Sequence, residues 1–443
     1  MSADTPYLIA MGIVSAPEYV ERRAASRATW LQWPNVGLKG KAMSVHFVVR
    51  SQHAPASIAK LIELEQSAHG DMLQVDSIPW NETRLRGPVL SVAAWYVYAV
   101  TELKSAFIAK MDDDAYVHAP AMETLLRKTL SAAPFPDRIY MGAMSWFHWY
   151  PKIFERSGFG WSYTMSWMLG QSCRNVTQAE ERCKWKGCGS CTGPFPFASG
   201  FLTILSAPLA GEIFARPAAA PVLADDLTRL RAARTLPSRT GQEMFKVMED
   251  IWVGSLLYRQ PPSKPVSYVA LSERDDHTLV SDGWGFKVAP SALLVHTKNH
   301  QRGVQAQRFL VIDDFMKRSF CDLPLQVRCE SGCNAFLNRP EKNAMRNKGD
   351  DFKKQWGDRL NAASFCNGVQ NGSSFCRVGT VDFDPTTGGL RPIAKSSGCP
   401  RGKVNLLEDK AAFKRQAGAI EKVFAEIKPL QAIADMELAK ASS

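Results

Sequence analysis

The sequence predicts an α/β fold, a mostly parallel sheet flanked by helices. Three observations predict it. Short apolar runs alternate with helical patterns through the first half of the chain. One of those runs, Ala106–Met111, ends directly in Asp112-Asp113-Asp114, and parallel sheets bind ligands beyond the carboxyl ends of their strands. The composition is that of a globular protein, 45% hydrophobic and 22% charged. This excludes a wholly disordered, collagen-like or coiled-coil chain. The length of 443 residues suits two or three domains, or one large α/β domain with additions.

The elements follow in order. Leu8–Val14 reads as a buried strand rather than a targeting segment, because the start lacks a basic n-region and an apolar h-region. Glu18–Gln32 is helical and carries Arg22, Arg23 and Arg27. Ser44–Arg50 is a second strand. Ile58–His69 is a helix closed by Gly70. Met72–Val75 is a short strand leading to Asp76. Pro88–Lys104 is an apolar-faced helix before the strand at Ala106. Arg138–Gly142 and Phe201–Leu205 are strands, the latter after a turn at Gly200. Gln242–Tyr258 is helical and contains Glu249-Asp250, and Ala292–His296 is a late strand. After about residue 320 periodicity fades, until a terminal helix over 406–440. No run reaches the ~18 consecutive apolar residues of a membrane-spanning helix.

The acidic triplet carries the first chemical signal. Alternate strand residues share a face, so Asp112 and Asp114 point the same way. Two carboxylates there suit a hard divalent cation, which would stabilise a leaving diphosphate. A solvated turn or a helix N-cap would use the same residues. Glu249 and Asp250 are the second signal. A carboxylate at a helix start, facing the same cleft, can act as general base on a hydroxyl, and a surface acid pair is the plain alternative. His296, closing its strand with His300 four residues on, could complete a metal or phosphate site, and His277 is a weaker alternative. Aromatic residues Trp146, Phe147, Trp149, Tyr150, Trp161 and Trp167 could form a sugar-stacking platform or simply pack in the core.

Charge and cysteines bound the partners and the compartment. The formal net charge of +11 favours an anionic partner: nucleic acid, a membrane surface or a phosphorylated ligand. The basic residues are spread rather than striped, which argues against nucleic acid. The 10 cysteines all lie at or beyond Cys173. They divide into a group from Cys173 to Cys191 and a group from Cys321 to Cys399. A zinc knot at Cys183-Cys188-Cys191 matches no common ribbon well, so disulfides in an oxidising lumen are the better reading. Sequons at Asn81, Asn175 and Asn371 agree with that compartment.

Six blocks in order resemble the β-1,3-galactosyltransferase family, glycosyltransferase family 31, which includes β-1,3-N-acetylglucosaminyltransferases and fringe-type enzymes. Arg23 to Trp30, with Arg27 and Thr29, resembles R-x-x-x-R-x-T-W. Glu65 to Asp76, through His69-Gly70-Asp71-Met72-Leu73, resembles E-x-x-x-(Y/H)-G-D-(I/M)-(L/I) running to the next acid. Trp80 to Arg86 stands where the family has Y-x-x-L-x-x-K. Lys110 to Val117 resembles K-x-D-D-D-x-F-V. Phe195 to Ser206 loosely resembles Y-P-x-Y-x-x-G-x-x-Y-x-x-S, and Glu249 to Gly254 resembles E-D-V-x-x-G. Trp80, Thr83, Arg86 and Phe201-Leu202-Thr203 depart from the family pattern.

The resemblance covers roughly residues 7–300 and implies a GT-A-type nucleotide-sugar fold. It divides the chain into a catalytic domain over 1–310, with a Cys-rich insertion at about 171–193, and a Cys-rich extension over 311–443. It implies an inverting hexosyltransferase that moves galactose or N-acetylglucosamine from a UDP-sugar, with Mn²⁺ or another divalent cation, to a glycoprotein or glycolipid acceptor through a β-1,3 linkage. It places Asp112, Asp114 and His296 at the metal. Arg23, Arg27, Asp76, Arg86, Lys110 and Asp113 fall near the nucleotide, and Asp250 beside Glu249 is the base. Golgi membrane association is expected by the same resemblance, although no anchor is visible, and nucleic acid is not an expected partner. A catalytically inactive glycan-binding or scaffold protein of the same fold is the alternative.

Overall fold

A computed structural model describes residues 7–38, 41–82, 86–149, 192–217, 219–232, 249–271, 280–282, 287–297, 304–320, 325–331, 372–379, 381–383, 390–392, 404–406 and 410–442. The Cys173–Cys191 group, Thr83, Asn175, Asn371, Tyr150, Trp161, Trp167, His277 and His300 lie outside these residues.

The first half builds a parallel layer. Strands β1 (Tyr7–Ser15), β2 (Met43–Gln52), β3 (Met72–Pro79) and β4 (Ser105–Asp112) alternate with helices α1 (Val20–Ala28), α2 (Ala56–His69) and α3 (Gly87–Glu102). All four strands are parallel, in the order β3-β2-β1-β4. After β4 come the short strand β5 (Ala115–Val117), α4 (Ala119–Ala132), and the long strands β6 (Ile139–Trp149) and β7 (Thr192–Ser206). Helices α5 (Ala207–Phe214), α6 (Ala220–Ala232) and α7 (Glu249–Arg259) follow. Next are β8 (Ser267–Ala270), β9 (Val280–Asp282), β10 (Lys287–Val288), β11 (Leu294–His296) and α8 (Gln305–Ser319). The described C-terminal elements are β12 (Gln326–Ser331), β13 (Ser374–Gly379), β14 (Val381–Phe383), β15 (Leu390–Pro392), β16 (Val404–Asn405) and α9 (Lys410–Ser442).

The main sheet has nine strands, ordered β12-β13-β8-β6-β7-β4-β1-β2-β3. β7 runs antiparallel to both β4 and β6. A second sheet, β5-β11-β9, begins immediately after the acidic triplet. The α/β class and the mostly parallel first half expected from the sequence are present. One apolar cluster packs α1, α2, α4, α8 and α9 on one face of the sheet, through residues such as Val20, Leu61, Leu125, Phe309 and Val423. A second packs α3, α5, α6 and α7 on the other, through Trp95, Leu209, Leu223 and Trp252. The period of α2 shows why it forms: Ile58, Leu61, Ile62 and Glu65 are its buried residues, one stripe at helical spacing. Gly70 closes it at φ 70°, a left-handed conformation that glycine adopts without steric cost.

Several boundaries differ from expectation. The helix expected over 18–32 is broken at Thr29, whose φ −124° and ψ −105° leave the helical region, and Trp30–Gln32 continue as a 3₁₀ turn. β3 runs past Asp76 to Pro79, so Asp76 is an exposed residue within a strand rather than an acid at a strand end. The turn expected at Gly200 is a bulge within β7. Between the pairs Gly142↔Thr203 and Met144↔Ala198, β7 advances by more residues than β6 does. Such an irregularity turns the local backbone away from regular pairing. The boundary expected near 310 falls inside α8. Beyond it, β13 pairs with β8, and a disulfide joins Cys329 on β12 to Cys376 on β13. The cysteine-rich segment is thus partly woven into the main sheet.

Arg23 and Arg27 also take positions the family pattern did not suggest. Arg23 is fully buried. It donates to Glu65, to Ser15 Oγ and to the carbonyl oxygens of Ala16 and Pro17. Arg27 pairs with Glu65 at 2.7 Å and Asp71 at 2.8 Å. Both guanidinium groups are engaged within the protein, fastening α1 to α2 and to the start of β3. Glu65 is the shared anion, and Arg23 and Arg27 hold its carboxyl below the usual range despite burial. Glu65→Ala, which leaves buried Arg23 without its carboxylate partner and takes one of two from Arg27, should lower stability by about 3–5 kcal/mol in denaturant unfolding. A loss below ~1 kcal/mol would show that the network contributes no more than a surface pair.

Candidate active site

The site is built on the end of β4. Val14 on β1 is level with Asp112, so the triplet emerges at the carboxyl edge of the parallel strands. Asp113 turns toward β1 and α1: its Oδ2 accepts from Ser15 Oγ at 2.8 Å and its Oδ1 from Arg22 at 2.5 Å. Burial opposes the charge of Arg22, but Asp113 and Asp114 outweigh it, and the guanidinium holds its proton more tightly than usual. Arg22 is therefore the α1 arginine that reaches the acids. It lies one position before the family block, and the signal that could have found it is its place on α1 beside Arg23.

Asp114 is fixed from the second sheet. Its carbonyl oxygen accepts from both the backbone N–H and the hydroxyl of Thr297, at 3.0 and 2.9 Å. His296 and Ala115 are paired across β11 and β5. This register brings His296 Nε2 within 3.2 Å of Asp114 Oδ1. The imidazole is buried, packs at 4.9 Å from the Phe201 ring, and leaves Nδ1 without a hydrogen-bond partner. Asp112, Asp114 and His296 each offer a ligand atom, and these atoms lie within 4.8 Å of one another. Two carboxylates and an imidazole, with a buried ring nitrogen still unsatisfied, are a donor set that fits a divalent cation.

α7 supplies the remaining acids. Gly254 lets it lie close to β7, since a Cβ there would fall 2.7 Å from Pro196 O and 2.6 Å from Phe197 Cβ. The helix thus presents its first residues, Glu249 and Asp250, to the bulge in β7. Asp250 accepts from Gly200 N at 3.0 Å and from Ile251 N at 2.7 Å. Burial and the neighbouring Glu249 push its carboxyl up to about 7, against the pull of Lys110. Burial likewise raises Asp112 to about 6, with Lys110 opposing and Glu249 and Asp114 reinforcing.

Lys110 joins the two halves. Its ammonium is 2% exposed. It donates to Asp112 Oδ1 at 2.5 Å, to Glu249 Oε1 at 2.7 Å and to the carbonyl oxygen of Gly200. An ammonium has three donors, and all three are used. Burial alone would lower its affinity for a proton, but Asp112 and Glu249 more than reverse this and keep it charged. Five carboxylates, Asp112, Asp113, Asp114, Glu249 and Asp250, thus gather around Lys110 and Arg22, leaving an acidic centre in a basic chain. Of the other expected residues, Arg86 stands just before α3 without a side-chain cap and pairs with Glu82 at 2.9 Å, and Asp76 stays exposed on β3.

This acidic centre lies at the carboxyl edge of a mostly parallel sheet. Residues 21–228 match the family model described as Galactosyltransferase. The chain is similar to mouse (Mus musculus) beta-1,3-galactosyltransferase 6, 31% identical over 31% of this chain and 40% of the relative. It is also similar to two Arabidopsis thaliana proteins. Hydroxyproline O-galactosyltransferase GALT2 is 26% identical over 32% of this chain and 19% of the relative. Probable beta-1,3-galactosyltransferase 4 is 27% identical over 31% and 33%. The chain thus matches less than half the length of each. Among solved structures, the galactosyltransferase LgtC with donor and acceptor sugar analogues aligns over 71% of this chain and 97% of its own, at 9% identity and a TM-score of 0.34. So loose a superposition carries no detail. The family match stops before Glu249, Asp250 and His296, and the fold itself brings these three to the triplet.

Calorimetric titration with Mn²⁺ should show one site in the wild type, with affinity reduced roughly tenfold or more in Asp114→Ala and in His296→Ala. Unchanged binding in both variants would place the cation elsewhere.

Proposed function

We propose that this protein is an inverting hexosyltransferase. It moves galactose or N-acetylglucosamine from a UDP-sugar to a hydroxyl of a glycoprotein or glycolipid acceptor, forming a β-1,3 linkage. The observation that carries this reading is the junction at Lys110, which holds Asp112 of the acidic triplet and the first turn of α7 side by side. A divalent cation such as Mn²⁺ on Asp112, Asp114 and His296 would neutralise the donor diphosphate and stabilise it as it departs.

The chain's own residues do the rest. Asp250 stands at a helix N-terminus, where two backbone N–H groups hold its oxygens and the helix dipole favours its anion. It accepts the proton of the acceptor hydroxyl as that oxygen forms its bond to the anomeric carbon. The bond from that carbon to the diphosphate oxygen breaks, and the electron pair leaves with UDP. One base with no covalent partner gives a single displacement and inversion, the logic of inverting sugar chemistry. Glu249 and Lys110 position the base, and Lys110 offsets the charge of both carboxylates.

The basic character of the chain fits an anionic donor rather than nucleic acid. The Cys329–Cys376 disulfide fits an oxidising lumen, and Golgi residence is part of the same reading. No helix among the described residues is long and apolar enough to cross a membrane.

Release of UDP from a panel of UDP-sugars with Mn²⁺ and mixed acceptors tests the reading directly. Asp250→Asn should abolish transfer while leaving UDP-sugar binding intact, and near-normal turnover in that variant would remove Asp250 as base. Asp250 works only when ionised, so the rate should rise with pH through its pKa, with an acidic limb near or below 7 once a cation is bound. Lys110→Met removes a charge that pulls this pKa down and should move the limb to higher pH. A limb at the same pH in both proteins would detach Lys110 from the base.

A further inference from the structure

A second cationic feature lies at the same edge of the sheet, two strands from the triplet, and none of the contacts above use it. Arg50 is near the end of β2, where the β2–β3 register shifts between Arg50 and Gln52, an irregularity of the kind that re-aims a side chain. Its side chain is buried, with the residue 7% exposed, and Nε has no hydrogen-bond partner. The guanidinium lies against Gly87, the first residue of α3: a Cβ there would fall 2.3 Å from Nη1 and 2.8 Å from Cζ.

This placement is electrostatically unfavourable as it stands. A helix N-terminus carries partial positive charge and free N–H groups, and no side chain caps α3. Arg50 adds a full positive charge beside it. The acids that act on Arg50 are Glu18, Glu82 and Asp113, with Tyr19 also contributing, yet burial outweighs them and lowers the guanidinium's affinity for its proton. Two of these acids are engaged elsewhere, Glu82 with Arg86 at 2.9 Å and Asp113 with Arg22 at 2.5 Å. A buried cation facing a helix N-terminus becomes favourable when an anion lies between them.

We propose that Arg50 and the N-terminus of α3 form an anion-holding point that takes a phosphate group of a nucleoside diphosphate. The inference rests on the donor reading above for the identity of that diphosphate. Gly87 is part of the device, because only the absence of a side chain there lets the guanidinium lie against the helix.

Binding of UDP, inorganic pyrophosphate and uridine, each with the metal chelated, should be compared in the wild type, Arg50→Met and Gly87→Ala. In both variants UDP and pyrophosphate should bind about tenfold more weakly or worse, the scale of a lost charge-assisted contact, while uridine is unaffected. Thermal stability of Arg50→Met should be unchanged or higher, since an under-compensated buried cation has been removed. Gly87→Ala should stay folded, because the group it meets is the far end of a flexible side chain. The proposal is overturned if the wild type does not bind pyrophosphate, if either variant binds it as the wild type does, if uridine weakens equally, or if Arg50→Met unfolds at lower temperature with UDP affinity intact. Failure of the donor reading gives a different pattern: no UDP-sugar is turned over, while pyrophosphate binding still depends on Arg50.

Discussion

The ammonium of Lys110 is the constraint on which the site depends. It sits in the interior with three acceptors, one from β4, one from the bulge of β7 and one from the start of α7. A buried charge is tolerated only when paired and hydrogen-bonded, so these elements cannot move apart independently without leaving a carboxylate or the cation uncompensated. The neighbouring geometry follows from this. The bulge at Gly200 turns its carbonyl to Lys110 and its N–H to Asp250. Gly254 permits the close packing of α7 that carries Glu249 within reach.

The same arrangement keeps the two functional carboxylates electrically distinct. Asp112 lies with Asp114 and His296, whose ligand atoms fall within 4.8 Å of one another. Asp250 lies on the side of α7, where burial and Glu249 make it a stronger base than a solvated aspartate. Lys110 between them moderates both. Two acids in one cleft, held in different surroundings, can thus serve different steps of a single reaction.

Much of this was legible in the sequence, and the reason is local. Apolar runs of strand length, Gly70 after a periodic helix, and acids at the end of Ala106–Met111 are patterns carried by neighbouring residues, and the structure keeps them. Asp112, Asp114 and His296 were marked by position at a strand end, and Lys110 and Asp250 by the family resemblance. Long-range pairing was not legible. Nothing near Arg23 and Arg27 announces that Glu65 and Asp71 will engage them, and nothing beside Gly200 distinguishes a turn from a bulge fixed by β6. The same limit hid Arg22, whose partner Asp113 is distant in sequence. It also hid the joining of β13 to β8, which carries part of the cysteine-rich segment into the main sheet.

The latch of β11 on the triplet bears on how the protein is made. His296 and the donors of Thr297 reach Asp114 across nearly two hundred residues of chain, so a growing polypeptide exposes the triplet long before these partners have been synthesised. Closing so large a loop is entropically costly and comes late. A cation that binds only the finished trio would favour the closed chain over every shorter or open form. The ion would then act as a proofreader of maturation as well as a participant in chemistry.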